Sequence, residues 1–161
     1  MAMQAAGNMG ARVALAARTE HRRELGVEMG ADAVFDPEGE ADALRENGPY
    51  SVLLECAGIP LDSVMEPENR LLDRFARVAL VAGRFRVDYH FLWASVLRLS
   101  FFQSTHFDQP TLEQVTVWAA KGKLDLPVLI KDVVPIEDAV EVYDRLRDDP
   151  MLLGGTVFDW S

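Results

Sequence analysis

Ser104, Thr105, His106 and Asp108 bring hydroxyls, an imidazole and a carboxylate close together in the chain. Acyl-transfer enzymes use these groups as nucleophile, base and orienting acid. Such groups usually converge from distant positions, and the G-x-S-x-G turn that would present a serine is absent. The segment therefore does not point to a hydrolase. His106 is expected to be structural or to border a substrate pocket, and His21 to sit on an exposed helix face. Cys56 has no cysteine partner, which excludes an internal disulfide and a multi-cysteine zinc site within the chain. An inert buried thiol is the expectation for it. The acidic stretch 137–149 lacks a convergent His/Asp pattern and reads as a solvated face. Gly7 and Gly10 follow no strand and open no helix, so they are not a phosphate loop.

The elements that must position these groups recur as strand, then helix. Residues 12–17 are a short apolar run suited to a buried strand. Thr19 can cap a helix reaching about Met29, with Leu25 and Met29 on one face and Gly30 as its stop. Residues 33–35 read as a second strand, closed by the turn Asp36-Pro37-Glu38-Gly39. A brief helix over 41–46 ends at Asn47-Gly48-Pro49, and residues 51–56 form a third strand. Residues 61–75 read as a helix that Pro67 must kink or split. Residues 78–82 and 97–103 are the fourth and fifth strands. Continuous apolar strands alternating with helices predict a parallel sheet covered on both faces. Thr111 and Gln114 then form a capping box for a helix ending at Gly122. Residues 127–134 read as extended. Ile136, Ala139, Val140, Tyr143 and Leu146 mark an amphipathic helix that Pro150 stops, and residues 156–158 are a last strand.

Composition narrows the function classes. The chain has 161 residues, and 16 Lys+Arg against 26 Asp+Glu leave a net charge of −10. Nucleic acid and anionic membrane surfaces both call for a basic patch, so neither is an expected partner. No apolar run approaches the ~18 residues of a membrane helix, and the first residues lack a secretory pattern. A soluble cytoplasmic protein is the expectation.

Several stretches, taken in order and spacing, resemble the medium-chain dehydrogenase family. They are Arg12-Val13-Ala14-Leu15, His21-Arg22-Arg23-Glu24-Leu25 and Met29-Gly30-Ala31-Asp32. Further along are Leu54-Glu55-Cys56-Ala57-Gly58, Val78-Ala79-Leu80-Val81-Ala82-Gly83, Gly122-Lys123-Leu124 and Pro135-Ile136-Glu137-Asp138-Ala139. The branch most similar holds the zinc-dependent alcohol, polyol and threonine dehydrogenases.

The resemblance implies an α/β fold, a Rossmann-type doubly wound parallel sheet. It lacks the first strand and the glycine-rich G-x-G-x-x-G loop, because residues 1–10 match only the end of the helix after that loop. It implies a partial dinucleotide-binding domain over 1–104, and a 105–161 segment that packs on a catalytic domain. Members preferring NAD carry an acidic residue at the end of the second strand. Ala17 stands there with Arg18 behind it, so NADP is preferred over NAD. Cys56, Ala57 and Gly58, then Val81, Ala82 and Gly83, then Phe102 and Gln103 match segments along the cofactor. No family zinc ligand and no catalytic residue falls within the chain.

The implied function is that of the C-terminal half of an NAD(P)-dependent zinc-type dehydrogenase. Hydride would pass between a secondary alcohol and nicotinamide, with an alcohol, polyol or ketone as substrate, and the isolated chain would be inactive. A homo-oligomer built through strand 97–103 is expected. Two other readings stand beside this one. One is a non-catalytic remnant or associating subunit. The other is a different Rossmann-type enzyme, such as a methyltransferase, which the segments after Gly83 disfavour.

A sheet without its first strand leaves the strands at Val13 and Val52 facing a gap or each other, and open edges invite association. The chain is expected to self-associate or to melt at low temperature. Sedimentation velocity and thermal unfolding test this; a monomer with a high, cooperative transition is the contrary result.

Overall fold

The computed structural model of the chain describes residues 1–83, 85–103, 107–148 and 155–161. Its elements begin with α1 (Ala2–Asn8), β1 (Ala14–Ala16), α2 (Glu20–Glu28), β2 (Ala33–Phe35) and α3 (Ala41–Asn47). They continue with β3 (Tyr50–Glu55), α4 (Asp62–Met65), β4 (Leu72–Leu80), α5 (Phe91–Leu97) and β5 (Ser100–Gln103). The last are α6 (Gln109–Ala120), β6 (Asp132–Pro135), α7 (Ala139–Asp148) and β7 (Thr156–Asp159). The chain divides into two compact units. One holds Ala16–Arg23 and Val34–Leu112; the other holds Met1–Leu15, Glu24–Ala33 and Glu113–Ser161.

The first of these units is built on a three-stranded sheet in the order β3-β4-β5, parallel throughout. Leu53, Val78 and Phe101 lie in one lateral row, and Glu55, Leu80 and Gln103 in the next. Residues paired in register point to the same side, so these rows share a face. That face carries the core: Leu61, Val64 and Met65 of the α4 segment, Leu72, Ala76, Val78 and Leu80 of β4, and Ala94 of α5. Asp62 of α4 accepts the His90 amide at 2.7 Å, tying the start of α5 to α4. The separate pair β1-β2 is also parallel in its bonding: the Asp32 amide donates to Val13 O at 2.8 Å and the Ala17 amide to Phe35 O at 3.0 Å.

The opposite face of the β3-β4-β5 sheet is open. Val52 is 53% exposed, Leu54 43% and Phe102 52%, and Arg77 lies among them. Cover on both faces was expected from the apolar strands, but α4 and α5 supply core residues to one side only.

Several element boundaries differ from the sequence reading. The helix expected over 61–75 stops at Met65, passes through a 3-10 turn at Pro67–Asn69, and gives way to β4. Pro67 supplies no amide donor, and Arg70 at φ 50 turns the chain into the strand. The fifth strand begins at Ser100 because Leu97 closes α5, an element the periodicity did not reveal. Arg98 at φ 53 ends that helix, with the Leu99 amide donating to Ala94 O at 3.0 Å. The cap of α6 is Asp108, whose Oδ1 accepts the Thr111 amide at 2.9 Å and its hydroxyl at 2.5 Å. Thr111 is thus the third helical residue and not the cap. A carboxylate one residue before the helix reaches that amide directly.

The second unit contains α1, most of α6, α7 and the parallel pair β6-β7, with Met29, Leu124 and Val142 buried. The Asn8 side chain donates to Lys123 O at 2.6 Å. The segment expected to be extended over 127–134 opens with a 3-10 turn at Pro127–Leu129 before β6. Gly155 has no alternative at its position. Its φ is +124, and a Cβ there would lie 1.9 Å from Leu129 O. On α7 the buried residue is Val142, whereas Val140 and Tyr143 of the expected apolar stripe remain exposed.

β4 also carries a bulge: Tyr50 and Val52 of β3 pair with Leu72 and Arg77 of β4. At the bulge Phe75 adopts φ +68 and projects into solvent. The guanidiniums of Arg74 and Arg98 lie 5.4 and 5.5 Å from its ring centroid. A bulky residue in the left-handed region carries roughly 1–3 kcal/mol of strain. Glycine ordinarily destabilises a strand relative to alanine by roughly 0.5–1 kcal/mol. Here the order is expected to reverse, with Phe75→Gly more stable than Phe75→Ala by about 1 kcal/mol in urea unfolding. The usual order would show that the bulge relaxes around its occupant.

Candidate cofactor-binding edge

Parallel register decides where the expected site residues go. Glu55, Leu80 and Gln103 end their strands side by side, so the segments after β3 and β4 and the last residues of β5 emerge at one edge of the sheet. Cys56, Ala57, Gly58, Val81, Gly83, Phe102 and Gln103 are all exposed, and Ala82 is half-buried. In open α/β sheets ligands bind outside the carboxyl ends of the strands. Cys56, expected as a buried thiol, is exposed. The physical reason is that the ladder ends at Glu55, one residue earlier than the apolar run suggested.

Two of these segments are tied to one residue. The amides of Val81 and Ala82 donate to the backbone oxygen of Glu55 at 2.9 and 3.0 Å. The Glu55 side chain turns into the core face and is 2% exposed. Its Oε1 accepts the amides of Ala57 at 2.8 Å, Gly58 at 2.6 Å and Ile59 at 3.2 Å. Three amide donors are the compensation that a carboxylate needs when it leaves water.

Ala17 and Arg18 lie at the end of the other parallel pair, just past β1. Ala17 is half-buried and Arg18 exposed. Their carbonyls accept Nη1 of Arg23 at 2.8 and 2.9 Å, and the same nitrogen lies 3.5 Å from Asp36 Oδ2. Arg23 therefore clamps the backbone of the Ala17-Arg18 segment to the turn after β2. Sequence reasoning missed this role for Arg23 and Asp36, and that of Glu55. The available signal for Glu55 was a carboxylate in an apolar strand at an inward-facing position. For Arg23 no local signal existed, because its partners are carbonyls and a turn residue.

His21 is exposed on α2. His90 stands just before α5, and its ring stacks on Trp93 with centroids 4.3 Å apart. His106, with Ser104 and Thr105, lies outside the described residues, as do Asp149 and the Pro150 stop. Within the acidic stretch, Arg147 pairs with Asp144 at 2.8 Å and Asp148 at 3.4 Å, all of them exposed. Among the described residues no group of three His, Cys, Asp or Glu side chains could hold a metal ion. A concavity of about 430 Å³ lined by Asp42, Arg45, Glu46, Glu68, Asn69 and Arg70 precedes β3 and β4, at the amino ends of the strands. Its place on the sheet and its mixed charges make it a poor dinucleotide site.

Asp36 offers a pH test of the turn after β2. Amide hydrogen bonds from Glu38 and Gly39, and after them the charge of Arg23, hold its carboxyl below the ordinary 3.8. A lowered carboxyl value stabilises the fold fully above that pH, and the contribution fades as pH falls through the lower folded value. The stability gap between the unaltered chain and Asp36→Asn is expected to narrow below about pH 4. Urea midpoints taken across that range check it; a gap independent of pH would show that the charge of Asp36 contributes nothing.

Comparison with known proteins agrees with this architecture. The zinc-binding dehydrogenase family profile matches residues 1–120. No curated protein matches the chain significantly. L-idonate 5-dehydrogenase from Escherichia coli K-12 superposes with a TM-score of 0.80 at 21% identity, over 98% of this chain and 46% of that one. A Thermotoga maritima protein described as a candidate alcohol dehydrogenase gives 0.83 at 26% identity, over 98% and 42%. The short chain alcohol dehydrogenase from E. coli CFT073, solved with cofactor NADH, gives 0.82 at 20%, over 98% and 48%. The chain thus spans about half the length of these structures.

Proposed function

Because the chain belongs to the zinc-binding dehydrogenase family, we propose that it is the cofactor-holding, C-terminal half of an NAD(P)-dependent alcohol or polyol dehydrogenase. The observation that carries this reading is the convergence of Cys56-Ala57-Gly58, Val81-Ala82-Gly83 and Phe102-Gln103 at one exposed carboxyl edge. In this reading that edge lines the nicotinamide side of a dinucleotide, and Ala17 with Arg18 lines the adenosine side. When bound, nicotinamide supplies or accepts the hydride exchanged with a secondary alcohol or ketone.

The work of the chain itself is to bind and orient. Arg18 is exposed, and the backbone that carries it is pinned by Arg23. A guanidinium presents a planar fork of donors suited to a phosphate, which favours a 2′-phosphate and hence NADP over NAD. Open space around Gly58 and Gly83, where a Cβ would meet nothing within 4 Å, leaves room for a flat ring against the backbone. Among the described residues no cluster of His, Cys, Asp or Glu side chains would hold a zinc ion. With the zinc ligands and phosphate loop of the family unmatched in this sequence, the chain alone is proposed to be inactive. The division into residues 1–104 for cofactor and 105–161 for packing on a catalytic domain belongs to the same proposal, as do a homo-oligomer and a cytoplasmic location. No helix among the described residues is long and apolar enough to cross a membrane. The exposed face of Val52, Leu54 and Phe102 supports a second reading, an associating subunit without cofactor chemistry.

Titration of the chain with NADPH and NADH separates the two readings. The unaltered chain is expected to bind NADPH more tightly, and Arg18→Ala to lose about tenfold for NADPH with little change for NADH. Absence of binding to either nucleotide would leave the associating subunit as the better reading.

A further inference from the structure

We propose that Glu55 is a positioning residue that sets the Cys56-Ala57-Gly58 turn for the nicotinamide end of the dinucleotide; the proposal rests on the cofactor reading above. Glu55 is the buried charged residue among the described side chains, and it occupies the core face beside Leu53 and Leu80. Stability alone favours an apolar residue there, because a well-packed hydrophobic side chain usually matches or exceeds a buried ionic group. A carboxylate adds direction. Its Oε1 gathers three successive amides, those of Ala57, Gly58 and Ile59. Successive amides can converge on one anion when the backbone passes through the left-handed region, and Gly58 does so at φ +74.

With those donors turned inward, Cys56 and Ala57 remain exposed and the Gly58 Cα stays bare toward open space. The backbone oxygen of Glu55 holds the Val81 and Ala82 amides at the same time. One residue thus fixes two of the three segments at the carboxyl edge relative to each other. A planar carboxamide-bearing ring needs such fixed walls, since its orientation decides which face of the ring meets the substrate. Arg23 holds the adenosine-side segment independently, through Ala17 and Arg18. The two ends of the cofactor are therefore separable by experiment.

The test compares NADPH with 2′,5′-ADP, which lacks the nicotinamide half, on the unaltered chain and on Glu55→Gln. Glutamine keeps the shape and one acceptor but removes the charge. The unaltered chain is expected to bind NADPH more tightly than 2′,5′-ADP. In the variant, 2′,5′-ADP affinity is expected to hold while NADPH weakens about tenfold. Amide hydrogen exchange at Ala57, Gly58 and Ile59 is expected to speed up, which shows that the turn was loosened in a folded chain. A variant with a faster-exchanging turn but unchanged NADPH affinity overturns the proposal, as does an equal loss for both ligands. If the unaltered chain binds 2′,5′-ADP but gains nothing from the nicotinamide half, the positioning role fails while the adenosine-side reading stands. If it binds neither, the cofactor reading itself falls and takes this proposal with it.

Discussion

Parallel pairing of β3, β4 and β5 is the constraint from which the rest follows. A parallel strand cannot be reached by a tight turn, so the chain must travel back across the sheet between each pair. The α4 segment and α5 are the return paths, and they pack on the same face. That face takes the alternate residues Ala76, Val78 and Leu80 of β4, and Leu61 and Met65 close over it. Every strand consequently ends at the same edge, and every return path leaves from it. The candidate site is a product of this arrangement: three segments distant in sequence become neighbours because their strands run the same way.

The backbone at that edge, and at the end of the separate β1-β2 pair, is held by charged groups that are inside or half-inside. Glu55 lies within the core face and gathers three amides; Arg23 is partly buried and gathers two carbonyls. Both use the same physics. A charge removed from water must be compensated by hydrogen bonds, and the compensation fixes backbone direction more firmly than apolar packing does. Arg18 and the 56–58 turn, the groups proposed to meet a cofactor, are exposed, and their backbone is held by these partners. The far face of the sheet obeys no such rule: Val52, Leu54 and Phe102 are apolar and exposed, with Arg77 among them.

Much of the architecture was legible along the chain. The strand at Ala33–Phe35 and the helix ending before Gly30 follow from apolar runs and their stops. Boundaries were lost where a competing local interaction intervened. Leu72 and its neighbours looked helical because the spacing of apolar residues could not tell a helix from a strand after Pro67. Thr111 looked like a cap, but the carboxylate of Asp108 reaches the same amide from outside the helix. Cys56 looked buried as the last residue of an apolar run, yet the ladder stops one residue short of it.

Residue order alone determined the fold class, because alternating apolar runs with glycine and proline stops admit few arrangements besides a parallel sheet with crossovers; the family followed from the resemblance of particular stretches, Leu54-Glu55-Cys56-Ala57-Gly58 among them. Residue order also determined which segments follow the strand ends, where the cofactor is proposed to bind. Tertiary structure decided the rest: that these segments share one edge, that one face of the sheet is covered and the other open, and that Glu55 and Arg23 brace the turns. The reason is physical. Strand propensity and turn chemistry act over a few neighbouring residues, whereas register, burial and the partner of a buried charge are settled only when distant parts of the chain come into contact.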